Sequence, residues 1–252
     1  MTSFTALVLA GSRGGPDAVA DYAGVAHKGL IELGGRTLLA RVVEALGQAG
    51  ASRIAVSTAE PAVIAALGAI ASPARLEVLP ATPSPSLSVA EAARALGLPL
   101  LVTTVDHALL RAEWIERFLA DAPESADVAA LVAPEAAVRA AAPDTQRSYM
   151  RFRDGRYSGC NLFYLRNARA LGVVDPWRTI EAHRKQPWKI AALLGPGVLL
   201  PYALGRLTLD EMVGRLGRTA GVAAAAVRTP YGLAAVDVDK PADLDLVRRL
   251  EP

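Results

Sequence analysis

Five short apolar runs, most followed by a helical pattern, restrict what this chain can fold into more than any other feature. Ala6–Ala10, Arg53–Ser57, Arg75–Leu79, Leu98–Thr104 and Asp127–Val132 read as strands. Arg36–Ala49, Pro61–Ile70, Ser86–Leu96 and Ala112–Ala120 read as helices between them. The strand runs are apolar rather than alternating, as expected when helices cover both faces of a sheet. Strand–helix alternation implies right-handed crossovers and parallel pairing. The predicted class is α/β: three layers, α/β/α, around a mainly parallel twisted sheet. At 252 residues, 52% of them hydrophobic, the chain can bury one large core, so residues 1–252 are expected to form one domain.

Breakers fall where this pattern needs them. Gly34-Gly35 precedes the first long helix, and Gly47 and Gly50 end it. Pro80, Pro83 and Pro85 mark a rigid loop before a helix that Ser86 or Ser88 can cap. The second half is less regular. Arg147–Arg153 and Arg156–Leu165 read as a hairpin turning at Asp154-Gly155. Helices are predicted over Pro176–His183, Trp188–Leu194, Leu207–Thr219 and Pro241–Leu250, and strands over Val222–Arg228 and Ala234–Val238. Pro134–Asp144 reads as a surface loop or lid. The Ala-rich stretches carry no functional signal.

The first strand ends abruptly in Ala10-Gly-Ser-Arg-Gly-Gly15, with Lys28 opening the next apolar segment. Small residues let a backbone approach an anion closely, loop N–H groups point at it, and Arg and Lys add fixed positive charge. This is a cradle for a polyphosphate. Two other strands end in acids. Leu100–Val105 runs into Asp106, at the sheet edge where α/β proteins bind ligands. A carboxylate there suits Mg²⁺, which takes one or two carboxylates plus phosphate oxygens; capping of the next turn is an equal alternative. Leu233–Val236 runs into Asp237, with Asp239 on the same side of an extended chain. Asp237 is the better metal candidate, and helix capping accounts for Asp239 and Asp243.

Bulk properties narrow the partners. Net charge is +2 with both signs interspersed, and aromatics make up 5%. Neither a basic stripe nor a stacking platform for nucleic acid is expected. The lone cysteine, Cys160, excludes an internal disulfide or a thiolate zinc cluster. The N-terminus lacks the basic and cleavage regions of a signal peptide, and no uninterrupted run of about 18 apolar residues occurs. The expected location is cytoplasmic.

Taken together, the motifs carry a family resemblance. Leu9-Ala-Gly-Ser-Arg-Gly-Gly…Lys28-Gly-Leu-Ile-Glu-Leu-Gly-Gly-Arg-Thr resembles the signature of nucleotidyltransferases with a GT-A-like, Rossmann-like fold. Pro83-Ser-Pro-Ser-Leu-Ser-Val89 resembles their base-contacting turn, Thr103-Thr-Val-Asp-His-Ala-Leu-Leu110 their metal-aspartate segment, Ser158-Gly-Cys-Asn-Leu-Phe163 their acceptor-side strand, and Asp237-Val-Asp-Lys-Pro-Ala-Asp-Leu244 their closing segment. The order is right and nearly the whole chain is spanned. The pattern is most similar to the molybdopterin nucleotidyltransferase-like group, then to the methylerythritol-phosphate and inositol-phosphate cytidylyltransferases. It departs where Gly14-Gly-Pro-Asp17 replaces the usual basic and Met-Gly pair, and in 183–216, which matches none of them.

The resemblance implies roles. Backbone amides of Ala10, Gly11 and Ser12 would face the nucleotide, with Arg13 on the β- and γ-phosphates and Lys28 on the α-phosphate. Ser88 would lie by the base, Asp106 and Asp237 would hold Mg²⁺, and Asn161 would meet the acceptor or the water shell of the metal. Residues 1–133 would then be the nucleotide-binding half and 134–252 the acceptor half. The implied reaction is NMP transfer from an NTP, CTP ahead of GTP, to a small phosphorylated acceptor with release of pyrophosphate. The acceptor would be a polyol or sugar phosphate, or a molybdopterin-type cofactor. A GT-A glycosyltransferase and a catalytically silent nucleotide-binding protein are the rivals.

The remaining polar and aromatic residues have plainer readings. His27 reads as a solvated loop histidine, and His107 as a surface or supporting residue. His183 lies in the basic cluster Glu181–Lys189, a solvated helix end; an anionic acceptor site using Lys185 or Lys189 is the other reading. Cys160 reads as a small buried apolar residue, and Trp177 and Trp188 as packing anchors. The apolar stretch Ile190–Leu204 reads as an interior helix or a homodimer contact rather than a membrane surface.

Overall fold

The computed structural model describes residues 3–12, 15, 17–183 and 195–251. Its centre is an eight-stranded mixed sheet flanked by helices. The strands are β1 (Phe4–Leu9), β4 (Ala51–Ser57), β5 (Arg75–Leu79), β6 (Leu100–Thr104), β7 (Val128–Pro134), β8 (Met150–Phe152), β9 (Gly155–Leu165) and β10 (Ala224–Arg228). Their spatial order is β10-β7-β9-β6-β1-β4-β5, with β8 added to β9. Pairings β5-β4, β4-β1, β1-β6 and β7-β10 are parallel, while β9 runs antiparallel to both β6 and β7. Alternation along β1 sends Ala6 and Val8 to the larger core and Leu7 to the smaller one. The sheet is therefore buried on both faces, which is why its strands read as unbroken apolar runs.

Two small strands, β2 (Glu32–Leu33) and β3 (Arg36–Thr37), form a separate hairpin. Gly34 and Gly35 sit at φ 59° and 73°, the left-handed pair a two-residue turn requires. The helix predicted from Arg36 therefore starts later. Thr37 caps α2 (Leu38–Gln48), its hydroxyl accepting from the Ala40 N–H at 3.2 Å. The sequence pattern also missed α1 (Ala18–Ala23), whose cap Asp17 accepts from the Val19 and Ala20 N–H groups.

Helices α3 (Pro61–Gly68), α4 (Pro85–Leu96) and α5 (Ala112–Asp121) follow the predicted order. The cap of α4 is Ser84 rather than Ser86 or Ser88, because Pro85 is preset for the first helical position. Residues 134–144, expected as a loop or lid, contain α6 (Glu135–Ala141). Alanine's helix propensity and the Glu135–Arg139 pair at 2.8 Å explain it. Helix α7 (Val174–His183) precedes residues 184–194, so Trp188, Lys185, Lys189 and the helix predicted at Trp188–Leu194 lie outside the described residues. Helix α8 (Pro196–Ala203) leaves Leu200 62% exposed, so the described part of the apolar 190–204 stretch is not an interior helix. Among the described residues no helix is long and apolar enough to cross a membrane.

Helix α9 (Leu209–Thr219) opens with a capping box between Thr208 and Glu211, and α10 (Pro241–Leu250) closes the fold. The predicted strand Ala234–Val238 is instead a 3₁₀ turn, Gly232–Ala235, followed by extended chain. It packs against α6 with no room to spare: a Cβ on Gly232 would overlap the Ala137 carbonyl and stand 2.8 Å from the Val138 Cα. Gly232→Ala is expected to cost about 3 kcal/mol, the upper end of overpacking. For a chain of this size that lowers Tm by roughly 6–12 °C. A thermal melt within 2 °C of the wild type would contradict this packing.

Candidate active site

Strand β1 lies between β4 and β6, and the chain leaves it on one side to build β4 and β5 before crossing back to β6. That reversal opens a crevice beyond the carboxyl ends of β1 and β6, the position where open α/β sheets bind ligands. Residues from four parts of the sequence converge there. The first is the loop after β1. The Ala10 N–H donates to the Ser57 carbonyl at 2.9 Å, continuing the ladder. Its expected role toward a nucleotide is thus corrected: the sheet takes that donor. Gly11 and Ser12 are the first exposed residues past the strand. A Cβ on Gly11 would lie 3.3 Å from the Ala81 Cβ, so the loop runs close to the chain leaving β5. Arg13 is outside the described residues.

Lys28 opens a short 3₁₀ turn, Lys28–Leu30, capped by His27, whose Nδ1 accepts from the Gly29 N–H at 3.0 Å. His27 is buried, contrary to the solvated reading, and burial lowers its pKa below the ordinary value. The Lys28 ammonium donates to the Asp106 carboxylate and stands 3.5 Å from Asp239. Burial alone would pull the Lys28 pKa down, but the Asp106 charge and hydrogen bond, with Asp239 and Asp17 behind them, hold it above the usual lysine value. Asp106 is the mirror case. Burial pushes its carboxyl up, and Lys28 and the Thr104 hydroxyl bring it below the ordinary range. The charge of each offsets the burial of the other.

The closing segment meets this pair through its backbone, with the Val238 N–H donating to the Asp106 carbonyl at 3.0 Å. Asp237 is 5% exposed and Asp106 6%. Asp237 accepts from both terminal nitrogens of Arg147, and from Asn161 Nδ2 at 2.6 Å. Asn161 holds φ 48°, a left-handed conformation that Asn tolerates better than most residues. Asp243 behaves as expected of a capping residue, accepting from the Asp239 and Lys240 N–H groups at 3.2 and 2.9 Å. Asp239 does not. Its side chain is 57% exposed, and partial desolvation together with repulsion from Asp237 and Asp106 raises its carboxyl above the ordinary value. It is a third acid of the cluster, not a cap, and Arg147 is a site residue the sequence reading passed over as strand. His107 is fully buried rather than on the surface, and burial lowers it to about 4.

Ser88 is buried, and its hydroxyl meets the Thr82 N–H and Oγ1, both at 3.0 Å. It braces the 82–84 turn from behind. Glu181 on α7 takes the N-terminal end of α4, accepting from the Ser86 N–H at 3.2 Å, the Ser86 hydroxyl at 3.0 Å and the Ser84 hydroxyl. Trp177 rests on Phe163, their ring centres 5.9 Å apart, and burial pushes the Cys160 thiol up to about 12. The donor set suits a hard divalent cation that also holds phosphates. The acids at hand are carboxylates, and Asp237 and Asp106 repel Asp239, a repulsion that a cation would relieve. Among the described residues, no three acids, histidines or cysteines are arranged to hold a metal unaided.

The profile of the MobA-like NTP transferase domain matches residues 6–148. A hypothetical transferase from Thermus thermophilus superposes with a TM-score of 0.83 at 35% identity, covering 96% of this chain and all of that one. A CMP:2-keto-3-deoxy-manno-octonic acid synthetase complexed with CTP superposes with a TM-score of 0.56 at 18% identity, covering 98% of each chain. The 2-C-methyl-D-erythritol 4-phosphate cytidylyltransferase of Thermus thermophilus does so at 0.51 and 21%, covering 99% of each. The last two establish likeness of fold. Among curated protein sequences there is no match.

Proposed function

The chain belongs to the MobA-like NTP transferase domain family and is a nucleotidyltransferase; from that premise we propose which substrates it takes and which residues serve them. It transfers an NMP group from an NTP, CTP first and GTP second, to a small phosphorylated acceptor such as a polyol phosphate, a sugar phosphate or a molybdopterin-type cofactor. The backbone at Gly11 and Ser12, with Arg13, receives the triphosphate. Lys28 neutralises charge on the α-phosphate. Ser88 braces the turn beside the base. Asp106 and Asp237 hold Mg²⁺, which when bound neutralises phosphate oxygens and favours in-line displacement. Asn161 and Lys189 serve the acceptor side. Residues 1–133 thus handle the nucleotide and 134–252 the acceptor.

The chemistry asks little else of the protein. An acceptor phosphate oxygen attacks the α-phosphorus, the bond to the bridging oxygen breaks, and pyrophosphate leaves. The attacking phosphate is largely ionised near neutral pH, so no strong general base is needed. Positioning and preorganised charge supply the rate. Lys28 suits this role because the Asp106 charge and hydrogen bond keep it protonated and fixed despite its burial. The observation that carries the reading is the Val238–Asp106 backbone hydrogen bond, which joins two acid-bearing segments 131 residues apart at the mouth of the β1 loop.

Pyrophosphate release from four NTPs, screened against a panel of phosphorylated small molecules with Mg²⁺, tests the proposal. Release is expected with CTP or GTP and only when an acceptor is present. Nucleoside diphosphate release from a nucleotide sugar, with no pyrophosphate from any NTP, would refute it.

A further inference from the structure

Five buried side-chain polar atoms have no hydrogen-bond partner among the described residues, and three belong to one five-residue stretch: Thr145 Oγ1, Arg147 Nε and Tyr149 OH. The stretch leads into β8, and its burial alternates: Thr145, Arg147 and Tyr149 are partly buried, and the intervening Gln146 and Ser148 are exposed. Alternation therefore turns Thr145, Arg147 and Tyr149 to the same inward side. Unpaired buried polar groups are costly, and three in a row on one face mark a surface shaped for a polar ligand. The Tyr149 end is flanked by arginines, while the Thr145 end shares a cavity with Asp144, Asp243, Asp245, Lys240 and Arg249. The guanidiniums of Arg139 and Arg156 lie over the Tyr149 ring at 5.7 and 5.6 Å, although both also pair with Glu135.

Arg147 ties this strip to the acid cluster. Its terminal nitrogens and Asn161 occupy both oxygens of Asp237. Asp237 cannot ligate a cation fully until Arg147 lets go, and the freed guanidinium has the fork geometry that matches a phosphate. We propose that Thr145, Arg147 and Tyr149 form the binding strip for the acceptor's phosphate, and that Arg147 exchanges Asp237 for that phosphate when the divalent ion binds. The inference rests on the nucleotidyltransferase reading given above. Metal and acceptor phosphate then bind with positive coupling, and by linkage each strengthens the other equally.

Mn²⁺ binding to the full chain with CTP or GTP, read as free Mn²⁺ by electron paramagnetic resonance, tests this with inorganic phosphate as the probe and a protein-free titration subtracted. In the wild type, phosphate is expected to raise Mn²⁺ affinity about tenfold, within the usual range of coupling between sites. Arg147→Ala should bind Mn²⁺ more tightly without phosphate and respond to phosphate less than about twofold; Arg147→Lys should respond in part. Tyr149→Phe removes a hydroxyl that has no partner among the described residues. Its Tm should match or exceed that of the wild type while the phosphate response falls about threefold. An unchanged phosphate response in Arg147→Ala and Tyr149→Phe overturns the proposal. If Arg147→Ala does not fold, Arg147→Lys and Tyr149→Phe decide the matter. Wild-type protein that binds no Mn²⁺–nucleotide overturns the nucleotidyltransferase reading itself, whereas intact nucleotide binding without phosphate coupling overturns only this strip.

Discussion

Asp106→Asn is expected to lower kcat for pyrophosphate release by about 10³-fold, the scale on which one preorganised electrostatic group contributes. Asparagine keeps the shape of the side chain, and the Asp106 backbone carbonyl still receives the Val238 N–H, so the two segments stay joined. What is lost is one negative charge, 6% exposed, between Lys28 and the expected cation. Breaking a buried ion pair typically costs about 3–5 kcal/mol. Here the loss should be near the lower end, because Lys28 retains Asp239 at 3.5 Å. Steady-state kinetics with a parallel thermal melt separate the two effects. A folded variant with a rate within tenfold of the wild type would remove Asp106 from the site.

Lys28→Met should reduce turnover by a similar factor, about 10²–10³, and should also reverse the pH response of stability. In the wild type the Asp106 carboxyl lies below its ordinary value because Lys28 and Thr104 outweigh burial. A group of this kind stabilises the fold above its unfolded pKa of about 3.9, and gives that up as pH falls through its folded value. Without Lys28, burial, the largest influence on this group, is opposed only by the Thr104 hydroxyl and His107, and it lifts the carboxyl above the unfolded value. The protonated acid is then the favoured form in the fold, so stability is lost as pH rises above about 4. Relative to the wild type, the variant should melt at a higher temperature at pH 5 than at pH 7. Parallel pH profiles for the two proteins would mean that the Lys28–Asp106 contact carries no weight.

The frame of the fold was legible because a sheet covered on both faces leaves a simple record: apolar runs at β1, β4, β6 and β7, separated by amphipathic helices. The position of Asp106 was legible for the same reason, since a carboxylate directly after such a run stands at the sheet edge, whereas Asp237 follows a 3₁₀ turn and not a strand. What escaped lay where one pattern serves two structures. An apolar run such as Ala234–Val238 packs equally well as a strand or as a buried crossing, and the tight seat of Gly232 against α6 decided which. The roles of Arg147 and Asp239 depended on which distant charges faced them. Neither a lone arginine before a hairpin nor the second acid of Asp237-Val-Asp239 announces that from its neighbours. His27 was misread because a cap turned inward and a histidine turned outward have the same local sequence.

Strand β9 has one more implication. The stretch that carries the family signature ends at residue 148, yet β6 and β7 within it never touch as ladder partners, because Gly155–Leu165 is threaded between them. A protein cut at that point would hold a slit two strand spacings across, about 10 Å, through the middle of its own sheet. The signature is thus a linear record of a unit that exists only once the later chain has returned to fill the gap, and Asn161, on the strand that fills it, reaches Asp237 by that same route.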